Sequence, residues 1–125
     1  MSLLVDIGSL LTGVNSNIYY GDRPDAPDNC LIIYQTGGQP SVHNMNAQAP
    51  TLEKPTFQVE IRNTSYASAV TQAESIKNTL NGKTKTTINS TLYEAIWLQG
   101  DIFSLGKDDR GRTSLTVNFV AWVRR

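Results

Sequence analysis

Net charge, histidine and cysteine are all scarce in this 125-residue chain, and each scarcity closes off a class of function. Lys and Arg number 11, Asp and Glu also 11, so the net charge is zero. Nonspecific nucleic-acid binding draws its affinity from neutralised phosphates, and the cation surplus it needs is missing. The same balance leaves little repulsion between identical copies, which suits self-association. The one cysteine, Cys30, cannot form an intrachain disulfide. It begins the apolar run "CLIIY" with no cation beside it to favour a thiolate, so it reads as a small buried hydrophobe. No stretch approaches the roughly 18 continuous apolar residues of a membrane span. The opening "MSLLVDIGSLLTG" lacks the basic start of a signal peptide, so the chain reads as made in a cytosol, and the sequons at Asn63 and Asn89 carry no glycosylation meaning.

The motifs of chemistry are missing too. "TGGQP" has neither the spacing nor the following Lys-Ser/Thr of a phosphate loop. His43 has no Cys, Asp or Glu at ligand spacing and no neighbouring nucleophile, which makes it a loop polar residue rather than a metal ligand or base. Asp22, Asp25 and Asp28 recur every three residues in "DRPDAPD", but the glycine and distal glutamate of a calcium loop are absent and the prolines fit a turn. No enzyme activity, cofactor or metal is expected.

What is there is a globular composition, 39% apolar and 18% charged, in one domain spanning 1–125. Leu3, Leu4, Ile7, Leu10 and Leu11 lie at helical spacing, with Gly13 as a stop. A brief strand at Ile18–Tyr20, a proline-rich turn and the continuous apolar strand "CLIIYQ" follow. Residues 36–55 carry three prolines, two glycines and no period, which predicts a long irregular loop. Phe57, Val59 and Ile61 alternate with polar neighbours as a half-buried strand. Tyr66, Ala69, Val70, Ala73, Ile76 and Leu80 form one stripe of a helix capped by Ser65 or Thr64 and ended by Asn81-Gly82.

After a polar connector, "KTKTTINST", with room for a short strand, residues 92–105 read as a strand bent at Gly100, and "GKDDRGR" as a turn. Residues 113–124 form the final strand. Leu115, Val117, Phe119, Ala121 and Val123 share one face; Ser114, Thr116, Asn118, Val120 and Trp122 share the other. That second face turns apolar along its length, so its last third should be covered by the first helix or by another chain. The fold class expected is α+β, a mainly antiparallel sheet flanked by two α-helices.

Two segments, "PTFQVEIRNTSYASAVTQAESIKNTLNG" and "SLGKDDRGRTSLTVNFVAWVRR", together with "YQTGGQP", stand in the order found in bacteriophage tail terminators, and the chain resembles that minor capsid protein family. The resemblance implies a homohexameric ring at the head-proximal end of the tail. There it would end tube growth and contact the tail-tube protein and the head connector or stopper. It also implies DNA passing through the lumen without sequence reading, and a virion component assembled in the bacterial host cytoplasm. Subunit-interface candidates on this reading are Arg62, Lys107, Asp108, Asp109, Arg110, Arg112, Trp122, Gly37, Gly38 and His43. Without the resemblance, Arg62 is a surface partner of Glu60 and "GKDDRGR" a solvated hairpin tip. Another neck or tail-tube-related protein remains an alternative, as does a small ligand-binding or RNA-binding α+β domain. The RNA version would need aromatics interleaved with basic residues on the sheet, and here Thr, Ser and Asn predominate.

Overall fold

The computed structural model describes residues 3–22, 24, 27–42, 52–108 and 110–124. His43 and Asp109 lie outside the described residues. In chain order the elements are α1 (Leu3–Leu11), β1 (Ile18–Tyr20), β2 (Cys30–Val42), β3 (Leu52–Asn63), α2 (Tyr66–Leu80), β4 (Lys83–Ile88), β5 (Thr91–Leu98), β6 (Phe103–Lys107) and β7 (Thr113–Arg124). The strands form one sheet in the order β1-β2-β3-β7-β5-β4, with β6 on β7 as well. Every pairing is antiparallel except that of β1 with β2. The α+β class expected from the sequence is the one observed.

Alternation places Leu31, Ile33, Phe57, Val59, Ile61, Leu115, Val117, Phe119, Ala121 and Val123 on one face, where all are buried. Both helices cover that face. Helix α2 lies on β3, β7 and β5, while α1 rests against α2, β1 and β2. Phe57 and Phe119 stack at the centre, centroids 5.3 Å apart and planes 17° from parallel. Helix α2 begins where the Ser65 side chain accepts from the Ser68 N–H. It ends where Gly82 takes φ +83°, a value a side chain would resist. Its 15 residues span about 22 Å, enough to cross these strands.

Two expectations are corrected. First, the irregular loop expected over 36–55 is largely strand at its ends: β2 runs on to Val42 and β3 starts at Leu52. The glycines that suggested a loop allow the ladder to continue. Gly37 takes φ +105° at a register shift. A Cβ on Gly38 would stand 3.0 Å from the Lys54 carbonyl oxygen and 3.1 Å from Pro55 Cα, so only glycine lets the strands approach there. Pro55 falls where the register of β3 with β7 passes from Thr56 straight to Glu53, sparing a donor it does not have.

Second, the bent strand over 92–105 is two strands, β5 and β6, with Gly100 at φ +81° between them. Both pair with the same edge of β7, β5 along Phe119–Arg124 and β6 along Thr113–Thr116. Of the two covers expected for the far end of β7, the first helix is excluded: Trp122 lies on the face away from both helices. The polar connector before β5 is strand β4, joined to β5 through Asn89 and Ser90 at φ +49° and +68°, the left-handed pair of a tight hairpin turn.

Candidate assembly surface

On the helix-free face the strands present Ser114, Thr116, Asn118, Val120 and Trp122 from β7, and Lys54, Thr56, Gln58, Glu60 and Arg62 from β3. Its lower half is closed by the chain's own connections. Arg62, expected at the surface, is only 3% exposed, and its Nη2 donates to the Pro27 carbonyl at 2.7 Å. Beside it, Arg112 donates from Nε to Asp108 Oδ2 at 2.6 Å and from Nη1 to Asp28 Oδ1 at 3.4 Å. The connections after β1 and β6 thus meet over polar residues that would otherwise face water. Cys30 is buried in the same layer, and that burial pushes its thiol pKa up, as for an unreactive cysteine.

"GKDDRGR" is therefore a clasp more than a loose tip. Asp108 Oδ1 accepts from the backbone N–H groups of both Arg110 and Arg112 at 2.9 Å, and Gly111 takes φ +74° to turn the chain. The Arg112 N–H, with the Arg112 guanidinium, holds the Asp108 carboxyl below its ordinary pKa range. A depressed folded pKa means the clasp stabilises fully above the unfolded value, near 4, and is lost as pH falls through the lower folded value. Asp108→Asn should flatten stability against pH in that acidic window. Chemical denaturation between pH 2 and 6, values chosen to bracket the ordinary Asp range of about 3.9, reads this directly.

Higher on the face, Trp122 is half-buried with Lys54 Nζ 4.9 Å from its ring centroid, a cation–π contact between neighbouring strands. Arg124 pairs with Glu94 at 2.6 Å at the end of the same strand. Trp97, opposite Val120, is 43% exposed. Lys107 and Arg110 are exposed near the β6–β7 turn. At the margin, all five residues of β6 are exposed, with Phe103 at 62% and Leu105 at 51%. A groove of about 330 Å³ separates β6 from α2, with Val70, Ile102 and Leu115 inside it and Tyr66, Glu74 and Lys77 around it.

Among the described residues no group of three or more His, Cys, Asp or Glu side chains could hold a metal. Among the described residues no helix is long and apolar enough to cross a membrane. What the surface offers is open strand edge, exposed aromatic area and clasped loops, the equipment of contact between proteins.

The family whose sequence model is described as bacteriophage tail terminator protein matches residues 3–123. The chain belongs to that family. It is a structural protein of a phage tail. Among solved structures, a chain of the virion of a native gene transfer agent particle shares the fold, with a TM-score of 0.67 at 12% identity over 99% of this chain and 96% of its own. A second solved chain matches with a TM-score of 0.61 at 10% identity, covering 97% of this chain and 89% of its own length. No curated protein sequence matches.

Against the residues singled out from sequence, the structure brings Asp108 and Arg112 together and buries Arg62 near them. It sets Trp122 apart at the other end of β7, and gives Gly37 and Gly38 backbone reasons for being glycine. Sequence reading missed the exposure of Phe103 and Leu105, which alternation alone assigns to a strand without saying which strand lies at the margin. It also missed Asp6, fully buried in α1, whose carboxyl accepts from the Tyr93 hydroxyl at 2.5 Å and from Asn89 Nδ2 at 2.8 Å. The signal was present: Asp6 is three residues after Leu3 and four before Leu10, on the apolar stripe itself.

Proposed function

We propose that this terminator assembles as a homohexameric ring at the head-proximal end of the tail, stops tube growth there and joins the tube to the head connector or stopper. The observation that carries the reading is the family match along residues 3–123. A net charge of zero suits both the close packing of identical copies and a lumen through which DNA slides without being held. The exposed residues Trp97, Phe103 and Leu105, with Lys107, Arg110 and Trp122 near them, are the contact surface on this reading. Asp109 and His43 belong with the same candidates by sequence. Asp108, Arg112 and Arg62 act from beneath, shaping the clasp.

Function is tested by tail length. Phage lysates lacking this protein should contain tubes longer than wild type and no joined heads, and adding purified protein to tubes during growth should cap them. Tubes of normal length, joined to heads in its absence, would overturn the proposal. Its presence at every level of the tube would favour a tail-tube role instead.

A further inference from the structure

The sheet's two margins differ in kind. On one side β4 continues the sheet outside β5, and its edge is guarded by Lys83 and Lys85, the latter kinked at φ +49°. Below that overhang, β6 has β7 on one side and no strand partner on the other among the described residues. It carries exposed Phe103 and Leu105 with no charge before Lys107. On the opposite margin the three residues of β1 project beyond β2. Through the registers of β2 and β3, Ile18–Tyr20 stand at the level of Leu115–Val117, and β6 stands at Thr113–Thr116. The projection on one margin therefore overlaps in height with the recess on the other.

The senses also match. β1 and β2 run together, β3 opposes them, β7 opposes β3, and β6 opposes β7, so β1 and β6 run in opposite directions. Copies rotated about an axis along the strands would set β6 of one antiparallel to β1 of the next, the stronger pairing geometry. Charge agrees with this occupant. From 3 to 20 the sole charged residue is Asp6, which is buried, so the β1 margin is uncharged and shows Tyr20 and Val5, each 42% exposed. Such a margin repels neither itself nor an uncharged strand edge, and it offers nothing to phosphate.

Resting on the ring reading above, we infer that the joint between subunits is heterologous, the β6 edge of one copy pairing with the β1 edge of a second copy of this chain. Contact of unlike patches is the type that closes into rings. Phe103, Leu105 and Tyr20 supply its apolar contact, and the adjoining groove at Tyr66 and Ile102 lies next to it.

Two variants test it on the full chain. Phe103→Lys/Leu105→Lys alters only residues exposed in the single subunit, so its melting curve should match wild type while ring formation on terminator-free tubes falls at least tenfold. Tyr19→Cys/Phe103→Cys, at the two positions level with Thr116, should cross-link under mild oxidation into a ladder ending at the closed ring. Adjacent strands place Cα atoms about 4.5–5.5 Å apart, within disulfide reach. Each single cysteine variant should stay uncross-linked, with buried Cys30 silent in all of them. Rings that form normally with the lysine variant and never cross-link would overturn this joint and leave the ring reading standing. A dimer from Phe103→Cys alone would mean β6 pairs with itself and would overturn it too. Wild-type protein that forms no ring on tubes would overturn the ring reading, and the joint with it.

Discussion

Phe119→Ala should cost the folded subunit about 3–5 kcal/mol, the usual penalty for emptying a large aromatic core position. Phe119 is fully buried, stacked on Phe57, and opposite Leu98 on the other side of β7. Its ring fills the centre of the layer between sheet and α2, where no backbone shift of one strand can close the gap without breaking two ladders. Domains of this size have only about 5–15 kcal/mol in total, so the variant should melt roughly 10–20 °C lower or fail to fold at working temperature. A thermal melt followed by circular dichroism measures this. A loss below about 1 kcal/mol would mean the stacked pair is not the centre of the core.

The second large effect belongs to Asp6. A buried side chain that takes hydrogen bonds from Tyr93 and Asn89 fastens α1 to the β4–β5 hairpin, across more than eighty positions of sequence. Tyr93→Phe removes one donor to a buried acceptor and should cost about 1.5–3 kcal/mol. Asp6→Ala removes the bonds of both the buried Tyr93 phenol and the exposed Asn89 amide and should cost at least as much. Because both changes break one contact, the double variant should lose less than the sum, a coupling of about 0.5–3 kcal/mol. Urea denaturation of the wild type, both single variants and the double variant closes the cycle. Additive losses would show that Asp6 and Tyr93 act separately.

How much of this was legible follows from what each element depends on. Helix α2 and β7 depend on local pattern, an apolar stripe with a serine cap and a strict alternation, and both stand where the pattern put them. The hairpin of β2 and β3 depends on a partner strand, and glycine and proline in "TGGQPSV" and "LEKP" suppress local signal while the pairing across Gly37, Gly38, Thr56 and Pro55 persists. The burial of Arg62 was invisible for a related reason. Its alternation correctly put it off the core face, but the connection through Pro27 and the clasp of Arg112 on Asp28 cover that face from elsewhere in the chain. The exposure of Phe103 depends on strand order, since the same residue on an inner strand would be core. Long-range pairing, not residue chemistry, decides each of these.

The central claim is a single closed ring at one place in the virion, and averaged electron micrographs of intact tails test it most directly. The expected result is one layer of density between tube and head connector, six-fold about the tail axis, fitted by six copies of this 13.8 kDa chain at about 83 kDa together. Three-fold or twelve-fold symmetry in that layer, or this chain repeating along the tube, would contradict it.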